Sequence, residues 1–573
     1  MTIGGPLLLV GALAWPLLFS DATFNEDWLN HLWYVWHQSL AIRANHLPSL
    51  FLNYSHGIFY PIYAFYGGTV YAIAGTLSLA LGDAPLEAYV ATYLLGFLAA
   101  YAGWYWAARI FGVGRWLAHV PAIVFLSSAS YLMIIYGLGD WPEFLAVSVM
   151  PLMIASGLSV IRAERPRLLP AVALAGSSIV FFGSHLLTVI WGSTILIIVG
   201  AMILAFVPAA RASIRWPNVL RILVIVIPAA LVSAWFLLPT AAYEANTVIA
   251  HSYPIFRHLL RREMYLVAAR HLFTLSRART AGTIVTTALP ILAIAWVLAG
   301  IGIALHARKG GTWMRLLLVL CAATALLVIV MTHAGLILVL PRIYATLQFS
   351  FRLESYVLLG IAGAVLAALV VNHDGGRATR YWMWALVPVL AASVIGAVQQ
   401  TDAHPAGLAR KLALSSYLEP TYEQEGLLDY VDDHVHLIKK RLPLVTFPPE
   451  SVRNDRASIV VHEPPGQLVD TNIRSAPELI HVTGARVVGA DKEANDVLEV
   501  RLPAGASSQP GAETITVTSA DSAPIAAGRV LSGLAVAILV LELLLLAAPS
   551  SLNKRAKGVL LSLAARRPRA KAT

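Results

Sequence analysis

The sequence predicts an all-α polytopic membrane protein of about twelve spans, with a small extracytoplasmic α+β or β-rich domain just before the last span. Three observations predict it. Of 573 residues, 58% are hydrophobic and only 13% are charged, whereas a soluble chain carries about 25% charged residues. Apolar runs of about 20 residues recur throughout, each long enough to cross roughly 30 Å of hydrocarbon as a helix. Between them lie short loops rich in Lys and Arg, the signature of cytoplasmic connections. Backbone groups in lipid must bond internally, so the runs are helices, and the short alternating segments of an outer-membrane barrel are missing.

In chain order the spans fall at 3–19, 87–109, 117–137, 144–161, 168–184, 188–208, 219–240, 284–305, 314–331, 351–371, 381–398 and 527–548. The first run lacks a basic n-region and a small-residue cleavage site before Asp21, so it reads as a retained span and not as a signal peptide. Basic loops at 109–115, 162–167, 211–221, 308–315, 377–380 and in the tail 549–573 are cytoplasmic. The parity holds only if the apolar stretch 60–82 does not cross as an independent span. Pro61, Gly67, Gly68 and several aromatics make it a membrane-embedded or re-entrant hairpin within a long first external loop, 20–86. The other external segments are 139–143, 241–282, 332–351 and 400–526.

The organisation is therefore a transmembrane domain over 1–399, a soluble extracytoplasmic domain over 400–526, a last helix over 527–548 and a basic cytoplasmic tail over 549–573. The soluble segment is polar and carries β-type runs at 458–462, 498–502 and 514–518, after an amphipathic helical stretch at 423–435. The net charge of +10 does not point to nucleic acid, because the cations sit in loops and tail where topology signals belong. Cys321 is the single cysteine, so there is no internal disulfide. A composition rich in Ala, Arg and Val fits a high-GC bacterium such as an actinobacterium.

The residues that could carry chemistry concentrate outside. Asn25-Glu26-Asp27 follows the first span, and a helix starting near Asn25 would put Asp27 and His31 on one face at i, i+4. A carboxylate at the hydrocarbon edge loses hydration, which raises its basicity and suits a general base. Ordinary N-capping accounts for the same residues equally well. Asp140 and Glu143 lie in a very short loop between two spans, where ionisable groups are costly and usually functional. They could orient an acceptor, or Glu143 could pair with Arg352; solvation at the interface is the plainer reading. The external segment from Arg257 through Arg261 to Arg270 violates the charge rule. A polyprenyl-phosphate or anionic lipid headgroup would explain it, as would an interfacial helix whose arginines snorkel. His185 reads as a headgroup-level residue, and Asp432-Asp433-His434-Val435-His436 as a solvated helix face without fixed ligand geometry.

These segments form a pattern. Asp27 with His31, then Gly57-Ile58-Phe59-Tyr60-Pro61 and Ala64-Phe65-Tyr66-Gly67-Gly68, resembles an acidic-x-x-x-His loop followed by a Gly-x-x-x-Pro, Phe-Tyr segment. Gly139-Asp140-Trp141-Pro142-Glu143, leading to Met150-Pro151-Leu152, is similar to a Gly-x-x-x-Glu-x-x-Ala, Leu-Pro-Leu stretch. Gln348-Phe349-Ser350-Phe351-Arg352 resembles a Gln-Phe-Pro-Trp-Arg motif with Ser and Phe in place of Pro and Trp. In this order they mark the bacterial membrane proteins known as 6-pyruvoyl-tetrahydropterin synthase-related, and the similar YfhO-type proteins, which belong with the GT-C glycosyltransferases. The resemblance covers about residues 1–400.

The resemblance implies a GT-C-like fold and a glycosyltransferase. Such an enzyme moves a sugar from a polyprenyl-phosphate donor to an envelope glycan or glycolipid acceptor outside the membrane, with inversion. Asp27 is then the general base, with Glu26 as runner-up because the usual Gly before the acid is missing, and His31 beside them. The departing phosphate calls for cations where its charge develops; Arg352, Arg257, Arg261 and Gln348 are the candidates, and Asp140, Glu143, Tyr60 and Tyr66 support the acceptor. Some members use a divalent cation, Mg²⁺ or Mn²⁺, and Glu26 with Asp27 could hold one. The competing readings are a transporter or lipid flippase, disfavoured by charges gathered at one face and by the lack of a two-fold repeat, and a scaffold that binds a partner through 400–526.

Overall fold

The computed structural model describes residues 4–19, 28–45, 47–50, 52–53, 59–60, 67–164, 167–243, 248–261, 300, 311–347, 349–373, 444–445, 452–453, 456–474, 479–491, 497–504, 513–520 and 522–547. The spans expected at 284–305 and 381–398, the helix at 423–435 and the cluster from Asp432 to His436 lie outside the described residues, residue 300 apart.

Most expected spans are helices. They are α1 (Gly4–Phe19), α4 (Pro85–Ile110), α7 (Trp141–Arg162), α8 (Leu168–Phe182), α9 (Leu186–Phe206), α14 (Gly311–Thr332), α15 (Glu354–His373) and α16 (Ala523–Ala547). Burial sorts them into layers. The apolar span Ser350–Val371, which holds most of α15, is 78% buried, whereas Leu186–Phe206 and Ala523–Ala547 are each 11% buried and present Leu, Ile and Val outward. A helix that is apolar all round and unburied is solvated by lipid. The core lies between α4, α7 and α15, where Phe97, Phe125, Tyr131, Phe144 and Val365 interlock.

The expected spans at 117–137 and 219–240 are each broken. In the first, a 3-10 turn at Leu117–His119 and α5 (Val120–Leu126) meet α6 (Ala129–Met133) at 44°. In the second, α11 (Trp216–Leu231), preceded by the short α10 (Pro208–Ala212), meets α12 (Ala234–Tyr243) at 67°. The bond lost at the bend is replaced from outside. The Trp235 amide donates to the Ser532 hydroxyl (2.9 Å), and that hydroxyl donates to the Leu231 carbonyl (3.2 Å). Ser532 of α16 is thus spliced into an i, i−4 hydrogen bond of another helix, which lipid could not replace.

Between α1 and α4, α2 (Trp28–Asn45) is followed by strands β1 (Leu52–Asn53) and β2 (Phe59–Tyr60) and then by α3 (Gly68–Ala80). Thirteen residues of helix rise about 20 Å, short of the roughly 30 Å a crossing needs. The length suits an embedded element, as the charge parity requires.

The segment over 444–519 is β-rich. One sheet has the order β4 (Val452–Arg453), β5 (Arg456–Val461), β10 (Glu513–Ser519), β7 (Ile480–Thr483), all antiparallel. The other runs β3 (Leu444–Val445), β6 (Leu468–Arg474), β9 (Val497–Arg501), β8 (Arg486–Asp491), with β3 parallel to β6. Along β10 the buried Ile515 and Val517 alternate with threonines, the period-two pattern of a half-buried strand. The core of the two sheets is continuous with Leu50 after α2 and with Trp235, Phe236 and Tyr243 of α12, so the domain is seated on the helices.

The helix bundle has two chemically different ends. At one, Arg162 reaches the Ile110 carbonyl and stacks over Phe111, Arg215 pairs with Glu164 (3.7 Å), and Phe111 meets Trp313. Basic loops far apart in sequence therefore share one end. The other end of α7, about 33 Å away by helical rise, is where Asp140 stands.

Candidate functional site

The site is built where three helices begin. Asp140 caps α7, its side chain accepting from the Glu143 amide (3.1 Å). His185 stands at the N-cap of α9, and Glu354 opens α15. Helix N-termini present unpaired N–H groups and partial positive charge, so three together favour anions. Asp140 reaches this position through a left-handed turn. The preceding turns, Ile134–Leu138, form a π-helix that ends on Gly139 at φ 69°. The Asp140 amide then closes back on the Ile134 carbonyl (3.0 Å), a closure over seven residues with the left-handed Gly139 just before it. π-turns of this kind often mark functional sites.

The charged groups are almost wholly withdrawn from solvent. Exposure is 2% for Asp140, 4% for Glu143, 6% for His185 and 3% for Glu354. Arg352 is the counter-charge, its side chain 16% exposed and 3.7 Å from the Asp140 carboxylate. Its guanidinium also donates to His185 Nε2 (3.2 Å). An arginine cannot accept, so Nε2 carries the lone pair, and the Nδ1–H donates to the Thr188 hydroxyl (2.8 Å). Burial pulls the His185 pKa down to about 4, against the opposing pull of Asp140, which keeps the ring neutral at neutral pH. Burial works against the Asp140 carboxylate as well. There, His185, Arg352, His31 and the Glu143 amide outweigh it and hold the group below the usual carboxylate range.

Two further elements close on this cluster. His31 on α2 is 2% exposed, bonds the Tyr71 hydroxyl of α3 through Nδ1 (2.6 Å) and feels the charge of Asp140. Tyr71 in turn lies against Trp141 (5.2 Å between ring centres), whose indole donates to Thr92. The start of α3 docks on the turn that carries His185. Val70 N–H bonds the Gly183 carbonyl (3.1 Å), and Thr69 links Ser233 and Trp235 of the second broken span. Gly67 is demanded here twice over: its φ is +37°, and a Cβ would stand 2.4 Å from the Ser184 carbonyl oxygen.

Of the residues that the sequence singles out, the fold brings together His31, Asp140, Glu143 and Arg352. Asp27, Glu26, Tyr66 and Gln348 lie outside the described residues, and only the backbone is described for Tyr60 and Arg261. Arg257 is exposed on α13 (Val248–Arg261). The buried face of that helix, Tyr253, Phe256 and Leu260, packs on the 3-10 turns Ala334–Val339 and Arg342–Leu347. No described contact joins Arg257 to the cluster, and this is the geometry of the snorkelling alternative.

Arg352 pairs with Asp140, and its charge also acts on Glu143. One expectation is corrected. His185 is not a headgroup-level residue. The close seat of α3 on its turn buries it against Arg352. The available signal was its position, a histidine directly before a span in a tight Gly-Ser-His turn.

Asp140, Glu143 and His185 could also hold a metal ion, since one donor atom from each lies within 4.8 Å of the others. Two carboxylates and an imidazole suit Mg²⁺ or Mn²⁺ more than a thiophilic metal. In the geometry described, Arg352 already occupies the His185 lone pair, so a metal there would displace the guanidinium.

No family model matches the chain, and no curated protein matches it. Solved structures do resemble it at low identity. The oligosaccharyltransferase from Archaeoglobus fulgidus in the apo form is 12% identical with a TM-score of 0.41, over 71% of this chain and 56% of that one. The arabinofuranosyltransferase AftD from Mycobacteria is 16% identical with a TM-score of 0.37, over 73% of this chain and 27% of that one. ArnT from Cupriavidus metallidurans bound to undecaprenyl phosphate is 13% identical with a TM-score of 0.29, over 89% of this chain and 99% of that one. The chain thus spans little more than half the length of the archaeal enzyme it resembles.

Proposed function

We propose that the chain is a GT-C-type membrane glycosyltransferase. It takes a sugar from a polyprenyl-phosphate donor and transfers it, on the extracytoplasmic face of a bacterial inner membrane, to an envelope glycan or glycolipid. One observation carries the reading. Segments that form the family pattern but lie hundreds of residues apart, around His31, Gly67, Asp140 to Glu143 and Arg352, meet at one end of the bundle, opposite the basic loops. Buried charge at a membrane boundary is costly and is retained for function.

In this reading Asp27, directly before α2 and four residues before His31, accepts the proton of the acceptor hydroxyl, with Glu26 able to substitute. The acceptor oxygen bonds to the anomeric carbon as the carbon–phosphate oxygen bond breaks, and the electron pair leaves with polyprenyl phosphate. Attack opposite the leaving group inverts the centre. Arg352, aided by the N-termini of α7, α9 and α15, faces the charge that develops on the phosphate. Asp140 and His185 orient the guanidinium, and Glu143 with Glu354 stands behind them for the acceptor. A divalent ion held by Asp140, Glu143 and His185 would supply additional positive charge to the phosphate.

The test is transfer from a radiolabelled polyprenyl-phosphate sugar in proteoliposomes. Asp27→Asn combined with Glu26→Gln abolishes product while the protein still inserts and folds; undiminished transfer by the double variant would remove the mechanism. A transporter or flippase is the second reading, favoured by the two broken spans. Uptake of labelled substrate into sealed vesicles without any glycosylated product would select it.

A further inference from the structure

The bundle end opposite the site holds a shallow cleft, open to the surface, between the close of α7, the start of α8, α11 and the end of α16. Its walls are apolar at Val160, Pro170 and Leu546, and two arginines, Arg167 and Arg221, line it. Among the described residues neither arginine is in an ion pair; the acid nearby, Glu164, pairs with Arg215. Arg221 is set in place. Its Nη1 donates to the Asn218 side-chain oxygen (3.0 Å), while the Asn218 amide donates to the Ile161 and Ala163 carbonyls (2.8 and 3.0 Å). That bond uses one of five guanidinium N–H donors and leaves the fork directed by a buried asparagine. Arg167 is itself the N-cap of α8, which has no side-chain cap, so unpaired helix amides open beside the two cations. Leu169 and Leu220, 73% and 61% exposed, continue the apolar surface outward.

We propose that this cleft binds the phosphate of an anionic phospholipid headgroup, with the acyl chains lying along the exposed leucines. Two guanidinium groups that are in no ion pair among the described residues match a phosphodiester in charge and in donor geometry. The apolar walls favour a lipid over a soluble phosphate, since a basic pocket between membrane helices is a headgroup site by its surroundings. The ligand would reinforce the packing of the last helix on α8 and α11, which Leu539, Leu543 and Leu546 already make.

The test uses the full-length protein, delipidated in detergent, and counts bound lipid by native mass spectrometry. Dioleoyl-phosphatidylglycerol is expected to remain bound where dioleoyl-phosphatidylcholine does not, and Arg167→Gln with Arg221→Gln is expected to weaken retention about tenfold or more. Arg162→Gln with Arg215→Gln removes the same charge outside the cleft and is expected to leave retention within twofold. Equal loss in the two double variants would reduce the effect to net charge and overturn the site. Displacement of the lipid by millimolar inorganic phosphate would overturn the lipid assignment, and unchanged retention in the cleft variant would overturn both.

Discussion

The two ends of α7 carry charge in opposite ways. Around Asp140 the three carboxyl groups are 2–4% exposed, and Arg352, its side chain 16% exposed, offsets the Asp140 charge inside the protein. Around Arg162 the cations are exposed, and the one ion pair described there, Arg215 with Glu164, has side chains 59% and 84% exposed. Exposed charge in a loop sets topology and contributes little to stability, because water screens it. Buried charge must be matched atom by atom, or the fold is destabilised. The site end is therefore where sequence is tightly constrained by geometry, and the basic end is where residue type matters more than residue position.

The largest expected effect comes from breaking that balance. Arg352→Ala leaves the Asp140 carboxylate buried without its cation, and the expected loss is about 3–5 kcal/mol of stability together with loss of activity. Arg162→Ala at the other end is expected to cost less than about 0.5 kcal/mol. Thermal unfolding in detergent compares the two directly. The origin of the loss is also testable. Without Arg352 the Asp140 pKa rises and protonation removes the unpaired charge, so the deficit of the variant narrows as the pH is lowered. A deficit constant with pH would trace the loss to packing instead of charge.

The second effect is an acid sensitivity at the site end. His31 has its pKa pulled down by burial from 6.5 to about 4. The unfolded chain therefore binds that proton more readily than the folded one. Stability is complete above pH 6.5 and is lost as the pH falls toward 4, by about 3 kcal/mol in all. His31→Gln, which keeps a polar partner for Tyr71, lowers the slope of the stability profile between those two values and leaves the share of His185, which burial also pulls down to about 4. A profile of unchanged slope would show that the ring is not held neutral in the fold.

The same contrast explains what was legible in the sequence. Hydropathy reports long apolar runs, so α4, α7, α9, α14, α15 and α16 could be read directly, and the alternating residues of β5, β9 and β10 showed a β-rich domain. Charge counting found the basic end because that signal needs no geometry. It also drew attention to Asp140, Glu143 and Arg352, since a charge between two spans stands out. His185 was misjudged because its burial depends on Gly67 approaching the Ser184 backbone from a helix more than a hundred residues earlier. The two bends were missed for a related reason. A periodic apolar pattern continues through a break, and what sustains the break at Leu231 is a serine near the end of the chain.

That serine gives the smallest and sharpest prediction. Ser532→Ala removes both the acceptor for the Trp235 amide and the donor to the Leu231 carbonyl, which are otherwise joined to nothing described across the bend. Hydrogen bonds between membrane helices are worth about 0.6 kcal/mol on average and up to about 1.7 kcal/mol, so the expected cost is 1–2 kcal/mol by the upper part of that range. The loss should not stay local. Trp235 also bonds Thr69 through its indole, and the helix of Thr69 holds the turn of His185, so a relaxed bend loosens the site end while the basic end is untouched. Ser532→Thr, which retains the hydroxyl, restores stability and site geometry if the splice is the cause; failure of threonine to rescue would assign the effect to packing between α16 and α12. Hydrogen exchange at the Trp235 amide separates the two, because only loss of the spliced bond exposes that proton.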